Sequence, residues 1–245
     1  YVYTCEVPVA QIGDKVTATL HYKDKSYALT QYSVKDYLNT IVQNKDKKEE
    51  YGKAADIASA ILNYGARAQL YFGYKTDSLV NSALSDVEIK KVDSILAQDI
   101  KNAITNEESG NLENNDFKYY GGSLVCKSDT GMKLYFENKN SLSLKEIEKK
   151  YDISVKDCKK QVSKSINGNM ICITINDLNA TELDDNFVVQ ITNKQNSSQS
   201  MSVSTSPYMY IKKSMDSRNA KLINLSKAMY WYSQKAMEYT MTENR

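Results

Sequence analysis

The chain has 245 residues, of which 41% are hydrophobic and 25% are charged, as in an ordinary globular protein. This length allows one large domain or two modest ones. The 32 basic and 30 acidic residues give a net charge of +2, which provides no reason to expect nucleic acid or an anionic membrane as partner. No run approaches the roughly 20 apolar residues of a membrane-spanning helix, so we expect no span in this chain.

The first elements predicted from the sequence are strands, over residues 1–31. Val16, Ala18 and Leu20 alternate with polar residues, the pattern of a half-buried strand. Tyr27 and Leu29 continue the pattern in an opposing strand. The opening Tyr1-Val2-Tyr3-Thr4 has no initiator Met, and we interpret the chain as a piece of a longer protein that begins within a strand.

Helices follow the strands. A short helix is predicted from Ser33, and a long one over 53–72, with Gly73 as its C-terminal cap. Ser85 and Glu88 form the pattern of a capping box, which predicts a middle helix. The polar stretch 105–116 is predicted to be a linker.

The second half again reads as strands followed by a helix. Strands are predicted over 119–127, 132–137, 170–175, 187–191 and 201–203, and the last helix over 220–240. The segment 142–163 is compatible with a short helix or with strands, and the sequence leaves this open.

The long helices resemble each other at a constant offset of 168 residues. The first has the stripe Ala54, Ile57, Ile61, Tyr64, Ala68, Tyr71, and the second has Leu222, Leu225, Met229, Tyr232, Ala236, Tyr239. Preceding strands match at an offset of 171, Asp14–Leu20 with Asp185–Ile191, and short helices match at 173, Ser33–Leu38 with Ser206–Ile211. Because these segments agree in order, we predict an internal duplication.

These patterns predict an α+β fold of antiparallel, sandwich-like sheets with one long helix per repeat packed against them. The expected segments are 1–80 for the first strand-helix repeat, 81–116 for a connecting helix and linker, and 117–245 for the second repeat.

One motif carries a resemblance to a known group of proteins. Asn63-Tyr64-Gly65-Ala66-Arg67-Ala68-Gln69-Leu70-Tyr71-Phe72-Gly73-Tyr74 resembles the core of a module in large secreted and cell-surface proteins of gut-dwelling Gram-positive bacteria. The segments 32–37, 119–124 and 206–210 fit the same module. The resemblance implies an extracellular or cell-wall location beside adhesion, glycan-binding or enzymatic domains, and it brings no catalytic residues. In the second half Ser233 replaces the Gly, and the Phe-Gly-Tyr ending is lost.

Most catalytic and cofactor chemistry lacks a signature in this sequence. The four cysteines form no C-x-x-C pair, and their disulfide state stays open. His21 is the one histidine, on the polar side of its predicted strand, and no nucleophile motif surrounds it. No phosphate-binding glycine loop is present. We therefore predict no catalytic residues, no metal site and no cofactor, while a carboxylate-based glycoside hydrolase, or an accessory domain of one, remains the alternative.

The composition favours one kind of binding. The chain has 19 tyrosines against 4 phenylalanines and 1 tryptophan, a bias that reflects either genome composition or a tyrosine-lined surface. The candidate ligand-binding residues are Tyr119, Tyr120, Tyr208, Tyr210 and Trp231. The leading hypothesis is a non-catalytic module that binds host or dietary glycan or a surface protein, or acts as a spacer between neighbouring domains of an adhesin-like parent.

Overall fold

A computed structural model describes residues 4–47, 49–126 and 130–243 of the chain. The predicted α+β class is confirmed, since the described residues form seven α-helices and three antiparallel sheets. They group into two compact units, residues 1–100 with 215–245 (unit 1) and residues 101–214 (unit 2). Unit 1 thus combines residues from the first and the last parts of the chain.

Unit 1 contains one hairpin and most of the helices. Its elements are η1 (Val9–Gln11), β1 (Val16–Tyr22), β2 (Lys25–Tyr32), α1 (Val34–Gln43), α2 (Glu49–Phe72), α3 (Asp86–Asp93) and α7 (Ala220–Glu243). Helix α4 (Ala97–Ala103) contains the boundary between the units. The predicted helix starts are confirmed by their caps, since Ser33 accepts a hydrogen bond from the Asp36 N–H and Ser85 forms a capping box with Glu88.

The two long helices pack against each other within unit 1. The rings of Tyr64 on α2 and Tyr232 on α7 stack with their centroids 5.9 Å apart and an angle of 23° between their planes. These are equivalent positions of the predicted repeat. The helix-on-helix packing differs from the expected packing of each helix on strands, because small residues on α2, including Ala58, Ala60 and Ala68, are fully buried and admit a neighbouring helix.

The hairpin β1–β2 corrects a second expectation. Its strands pair as predicted, with Leu20 opposite Tyr27 and Val16 opposite Tyr32. Yet every residue of β1 is exposed, so the strand is not half-buried. The alternation predicted which side of the strand is apolar. However, no other described strand extends this two-stranded sheet. Residues 1–3, also predicted as strand, lie outside the described residues, and η1 replaces a strand at Val9–Gln11.

Unit 2 contains two four-stranded sheets. One has the order β3 (Ser109–Asn111), β10 (Met201–Thr205), β9 (Phe187–Asn193), β6 (Tyr151–Lys156). The other has the order β4 (Phe117–Cys126), β5 (Thr130–Asn138), β8 (Met170–Ile175), β7 (Val162–Asn167). The remaining elements are α5 (Leu144–Lys150), α6 (Pro207–Ser214) and the short η2 (Ala180–Glu182) and η3 (Ser197–Gln199).

A single hydrophobic cluster in unit 2 takes side chains from both sheets. Leu134 and Ile173 from β5 and β8 belong to it together with Val189, Ile191 and Val203 from β9 and β10, and all are buried. Strands β5, β8, β9 and β10 contribute alternate residues to it, which is the period-2 pattern that the sequence displays.

The structure resolves one segment that the sequence left open, 142–163, and one predicted linker, 105–116. The segment 142–163 contains both predicted forms, since α5 is followed directly by β6 and then by β7. The stretch 105–116 is not a free linker, because β3 pairs with β10. The side-chain amides of Asn111 and Asn114 donate to the carbonyls of Ser200 and Gln199, and asparagine side chains that bond backbone groups in this way replace ladder bonds.

A glycine pair tests the packing of α2. A Cβ on Gly65 would lie 2.5 Å from Ile12 Cδ1 and 2.9 Å from Val80 Cγ2, whereas a Cβ on Gly52 meets nothing within 4 Å. We expect Gly65→Val to lower the free energy of unfolding by about 2 kcal/mol through overpacking. Gly52→Val should change it by no more than a few tenths of a kcal/mol, because valine is the better helix former. Urea denaturation of both variants measures this, and equal effects would contradict the packing.

Candidate functional site

The motif at 63–74 is the first candidate site, and its amide side chains bond to the loop after α2. Gln69 is buried, and its Oε1 accepts a hydrogen bond of 2.9 Å from the Val80 N–H. Its Nε2 donates to the carbonyl oxygens of Ser78 at 3.2 Å and Lys75 at 3.5 Å. One glutamine thus bonds three backbone groups of the loop, which fixes the loop on the helix.

A second amide pair anchors the same loop. Asn63 and Asn81 are both buried, and Asn81 Nδ2 donates to Asn63 Oδ1 at 3.0 Å. Buried amides without a partner would destabilise the fold by about 1–3 kcal/mol each. Pairing them removes that penalty and sets the register between helix and loop.

The end of the motif closes the helix and bonds back to the chain's beginning. Gly73 has φ of +70°, and the Tyr74 N–H donates to the Gln69 carbonyl at 2.9 Å, as expected of a glycine-capped helix. The Tyr74 hydroxyl then donates to Asp14 Oδ2 at 2.5 Å, and Lys75 Nζ lies 2.6 Å from Asp14 Oδ1.

The side chains of Asp14, Tyr74 and Lys75 form a cluster in which the negative and positive charges stabilise each other. The hydrogen bonds from Lys75 and then Tyr74 lower the pKa of the Asp14 carboxyl below its ordinary value. The same contact with Asp14 raises the pKa of the Tyr74 hydroxyl and of the Lys75 ammonium. The geometry is that of an ion pair joining two loops, with both oxygens of the carboxylate occupied.

Arg67 extends the same structural role to α3. Its guanidinium is bonded to the carboxylate of Asp93. Together with Gly65, which lies against Ile12 and Val80, the motif residues contact η1, the following loop and α3. The motif therefore connects these elements of unit 1. The sequence did not identify the residues to which the motif bonds or packs, which are Asp14, Val80, Asn81 and Asp93. A polar residue such as Gln69 on a predicted buried helix face indicates that a hydrogen-bond partner must lie nearby, because buried polar groups are nearly always paired.

Trp231 on α7 is half-buried and lies near two lysines. Lys235 Nζ lies 4.7 Å and Lys91 Nζ 5.3 Å from the ring centroid, within the range of cation–π attraction. Lys235 is also 2.5 Å from Glu238. The indole is thus partly covered by its own neighbours.

The tyrosine pair on β4 separates into one buried and one exposed ring. The Tyr119 hydroxyl donates to Glu108 Oε1 at 3.0 Å, and burial, then the Glu108 charge, raise the pKa of this hydroxyl. Tyr120 is 75% exposed. A bulge between Tyr119 and Gly121 accompanies a φ of +142° at Gly121, a value that favours glycine.

Glu108 bonds to more than Tyr119. Its carboxylate is 2.6 Å from Lys213 Nζ and 3.3 Å from Thr205 Oγ1, and Lys212 Nζ donates to the Ile104 carbonyl at 2.8 Å. These contacts join α6 to the segment before β3.

The two tyrosines predicted on α6 are less accessible than Tyr120. Tyr208 is buried, and Tyr210 is half-buried. Both belong to unit 2, whereas Trp231 belongs to unit 1. Of the five predicted binding residues, Tyr120 has the most exposed ring.

Other chemistry has little geometric basis in the described residues. Residues 4–47, 49–126 and 130–243 contain no group of three or more His, Cys, Asp or Glu placed to hold a metal ion. His21 is exposed, and its Nδ1 is 2.8 Å from Ser26 Oγ. Across those same ranges, no helix has both the length and the apolar character that crossing a membrane requires.

Comparison with family models, with curated proteins and with solved structures finds no match for this chain.

The Asp14 cluster gives a pH-dependent prediction. Because its folded-state pKa is depressed, Asp14 contributes stability above its unfolded value of about 3.9, and this contribution is lost as pH falls through the folded value. We expect Asp14→Asn to lower the free energy of unfolding at neutral pH by at most about 1 kcal/mol, because solvent screens the pair.

The deficit of Asp14→Asn relative to wild type should shrink as pH falls below about 4. Tyr74→Phe, which removes one of the two donors, should show the same trend with a smaller deficit. Denaturant unfolding across the pH range measures both variants. A deficit that persists unchanged down to about pH 3 would contradict this role of the carboxylate.

Proposed function

We propose that this chain is a non-catalytic module of a secreted or cell-wall-associated protein, serving an adhesin-like parent as a glycan-binding or spacer domain. The observation that carries the proposal is the use of the motif. Asn63, Gln69 and Tyr74 direct their polar groups to other parts of the same chain. A motif used in this way supports a structural module more than an enzyme. The extracellular location rests on the resemblance of that motif to modules of Gram-positive surface proteins.

The proposal includes an internal duplication and a sandwich in unit 2. Tyr64 and Tyr232, equivalent in the repeat, stack on each other. The pair Val16 and Tyr32 in β1–β2 corresponds, at offsets of 171 and 173, to the pair Phe187 and Thr205 in β9–β10. The agreement of register supports duplication, and the cluster shared by both sheets of unit 2 supports a sandwich.

Tyr120 is the proposed contact with a glycan. Its ring is 75% exposed beside Gly121 and Gly122, whose lack of side chains leaves the ring accessible. An exposed aromatic ring stacks on the apolar face of a sugar while its hydroxyl remains in water. Trp231 is a weaker candidate, because Lys91 and Lys235 lie over its ring.

The alternative, a carboxylate-based glycoside hydrolase, would need two facing carboxyl groups with separated pKa values. The pKa of Asp185 is raised, by burial first and then by the charges of Asp184 and Glu182. Glu182 itself pairs with Lys160 at 2.7 Å and caps the turn at Asn179. This acidic segment therefore has a local structural explanation and does not favour the enzyme.

Polysaccharide binding tests the glycan arm of the proposal. On a glycan array that includes mucin glycans and plant polysaccharides, we expect the wild-type chain to bind and Tyr120→Ala to lose at least fivefold in affinity. This is the loss expected when about 1 kcal/mol of ring stacking is removed.

Tyr37→Ala is the matched control, because Tyr37 is also an exposed tyrosine, 56% accessible, but lies on α1. It should bind like wild type. Absence of binding to every glycan would leave the spacer role, and equal losses in both variants would remove Tyr120 from the proposed site.

A further inference from the structure

The hairpin β1–β2 presents an apolar face that nothing in the described chain covers. Strand pairing and alternation place six large side chains on one side, which we call the hairpin face: Val16, Leu20, Tyr22, Tyr27, Leu29 and Tyr32. Their exposed fractions range from 37% for Val16 to 61% for Tyr22. The opposite side carries polar residues such as Thr17, Thr19 and His21.

An uncovered hairpin of this kind is unfavourable in water. A two-stranded hairpin alone is marginally stable and needs a third strand or a packed layer. The largest contiguous apolar patch on a typical monomeric protein is about 300–600 Å² and is often a binding surface. The hairpin face therefore has the character of an interface.

The equivalent hairpin of unit 2 indicates what such a face needs. The hairpin β9–β10 also leads through a serine into a short helix and a long helix. Its residues Phe187, Ile191 and Met201 are buried, in a cluster shared with the sheet β4–β5–β8–β7. The partner of that hairpin is thus another β-sheet presenting apolar side chains, in a second layer.

We propose that the hairpin face is the docking surface for a second copy of this chain, whose own hairpin face packs against it in a symmetric, two-layer arrangement. With half of each large side chain exposed, the face offers on the order of 600 Å² per copy, or about 1,200 Å² in total, the lower end of the range for specific interfaces.

Charge and symmetry fit a second copy. Among residues 16–22 and 25–32 the one formally charged residue is Lys25, next to the turn and opposite Tyr22, and Lys23 of the turn lies 5.3 Å from the centroid of the Tyr22 ring. Two hairpin faces therefore meet without like charges at their centres, and Lys25 lies at the rim, where it stays hydrated. A self-complementary apolar patch is what a two-fold dimer uses.

The test is the mass of the whole chain in solution. At about 100 μM, roughly a hundred times a micromolar Kd, sedimentation equilibrium should give twice the chain mass of 27.8 kDa. Leu20→Lys places two ammonium groups in the centre of the interface and should return the mass to that of the monomer. Thr19→Lys is the matched control, since it adds the same charge on the opposite side of the same strand and should remain dimeric.

A charge-swap experiment separates loss of the interface from loss of folding. Leu20→Glu alone should be monomeric, and an equimolar mixture with Leu20→Lys should restore the dimer mass. A monomeric wild type at this concentration would overturn the proposal and assign the face to another polypeptide. A dimer insensitive to Leu20→Lys, or disrupted equally by Thr19→Lys, would overturn it as well. Glycan binding through Tyr120 is measured separately, so either proposal can fail without the other.

Discussion

The structure of unit 1 depends on the burial of the middle of α2, where residues 58–69 are all buried or half-buried. A helix in this position has no water to satisfy its polar groups, so Asn63 and Gln69 require partners within the protein. They find them in Asn81 and in the backbone of the loop after the helix. The close approach at Gly65 brings Ile12 and Val80 against the helix, and Tyr74 then reaches Asp14. One buried helix thus determines where the chain's first turn and the following loop lie.

This constraint separates the parts of the protein that are architecture from those that are available for binding. The twelve-residue motif is the most specific sequence feature, but the polar groups of Asn63, Arg67, Gln69 and Tyr74 are engaged within the protein. Two exposed surfaces are of a different kind: the ring of Tyr120 on an edge strand, and the apolar face of β1–β2. Neither belongs to the motif. Within the motif, Asn63 and Gln69 are buried and bonded inside the protein, whereas Phe72 is exposed.

The two hairpins show why equal patterns can have different surroundings. In β9–β10 the alternating residues enter a core, since strands on both edges and a second sheet surround them. In β1, the corresponding alternating side chains are exposed to solvent. Alternation encodes which side of a strand is apolar, and it contains no information on whether a covering layer is present. The half-buried strand predicted at Val16–Leu20 was wrong for this reason.

The sequence by itself determined the α+β class, the helix starts at Ser33 and Ser85, the end of α2 at Gly73 and the strand periodicity of unit 2. Each of these depends on residues close in the chain, through caps, turns and alternation. Only the tertiary structure decided that α2 and α7 pack together, that Gln69 bonds Val80, and that Tyr119 is buried while Tyr120 is exposed. Those outcomes depend on contacts between distant segments, such as Tyr64 with Tyr232, whose energies no local pattern contains.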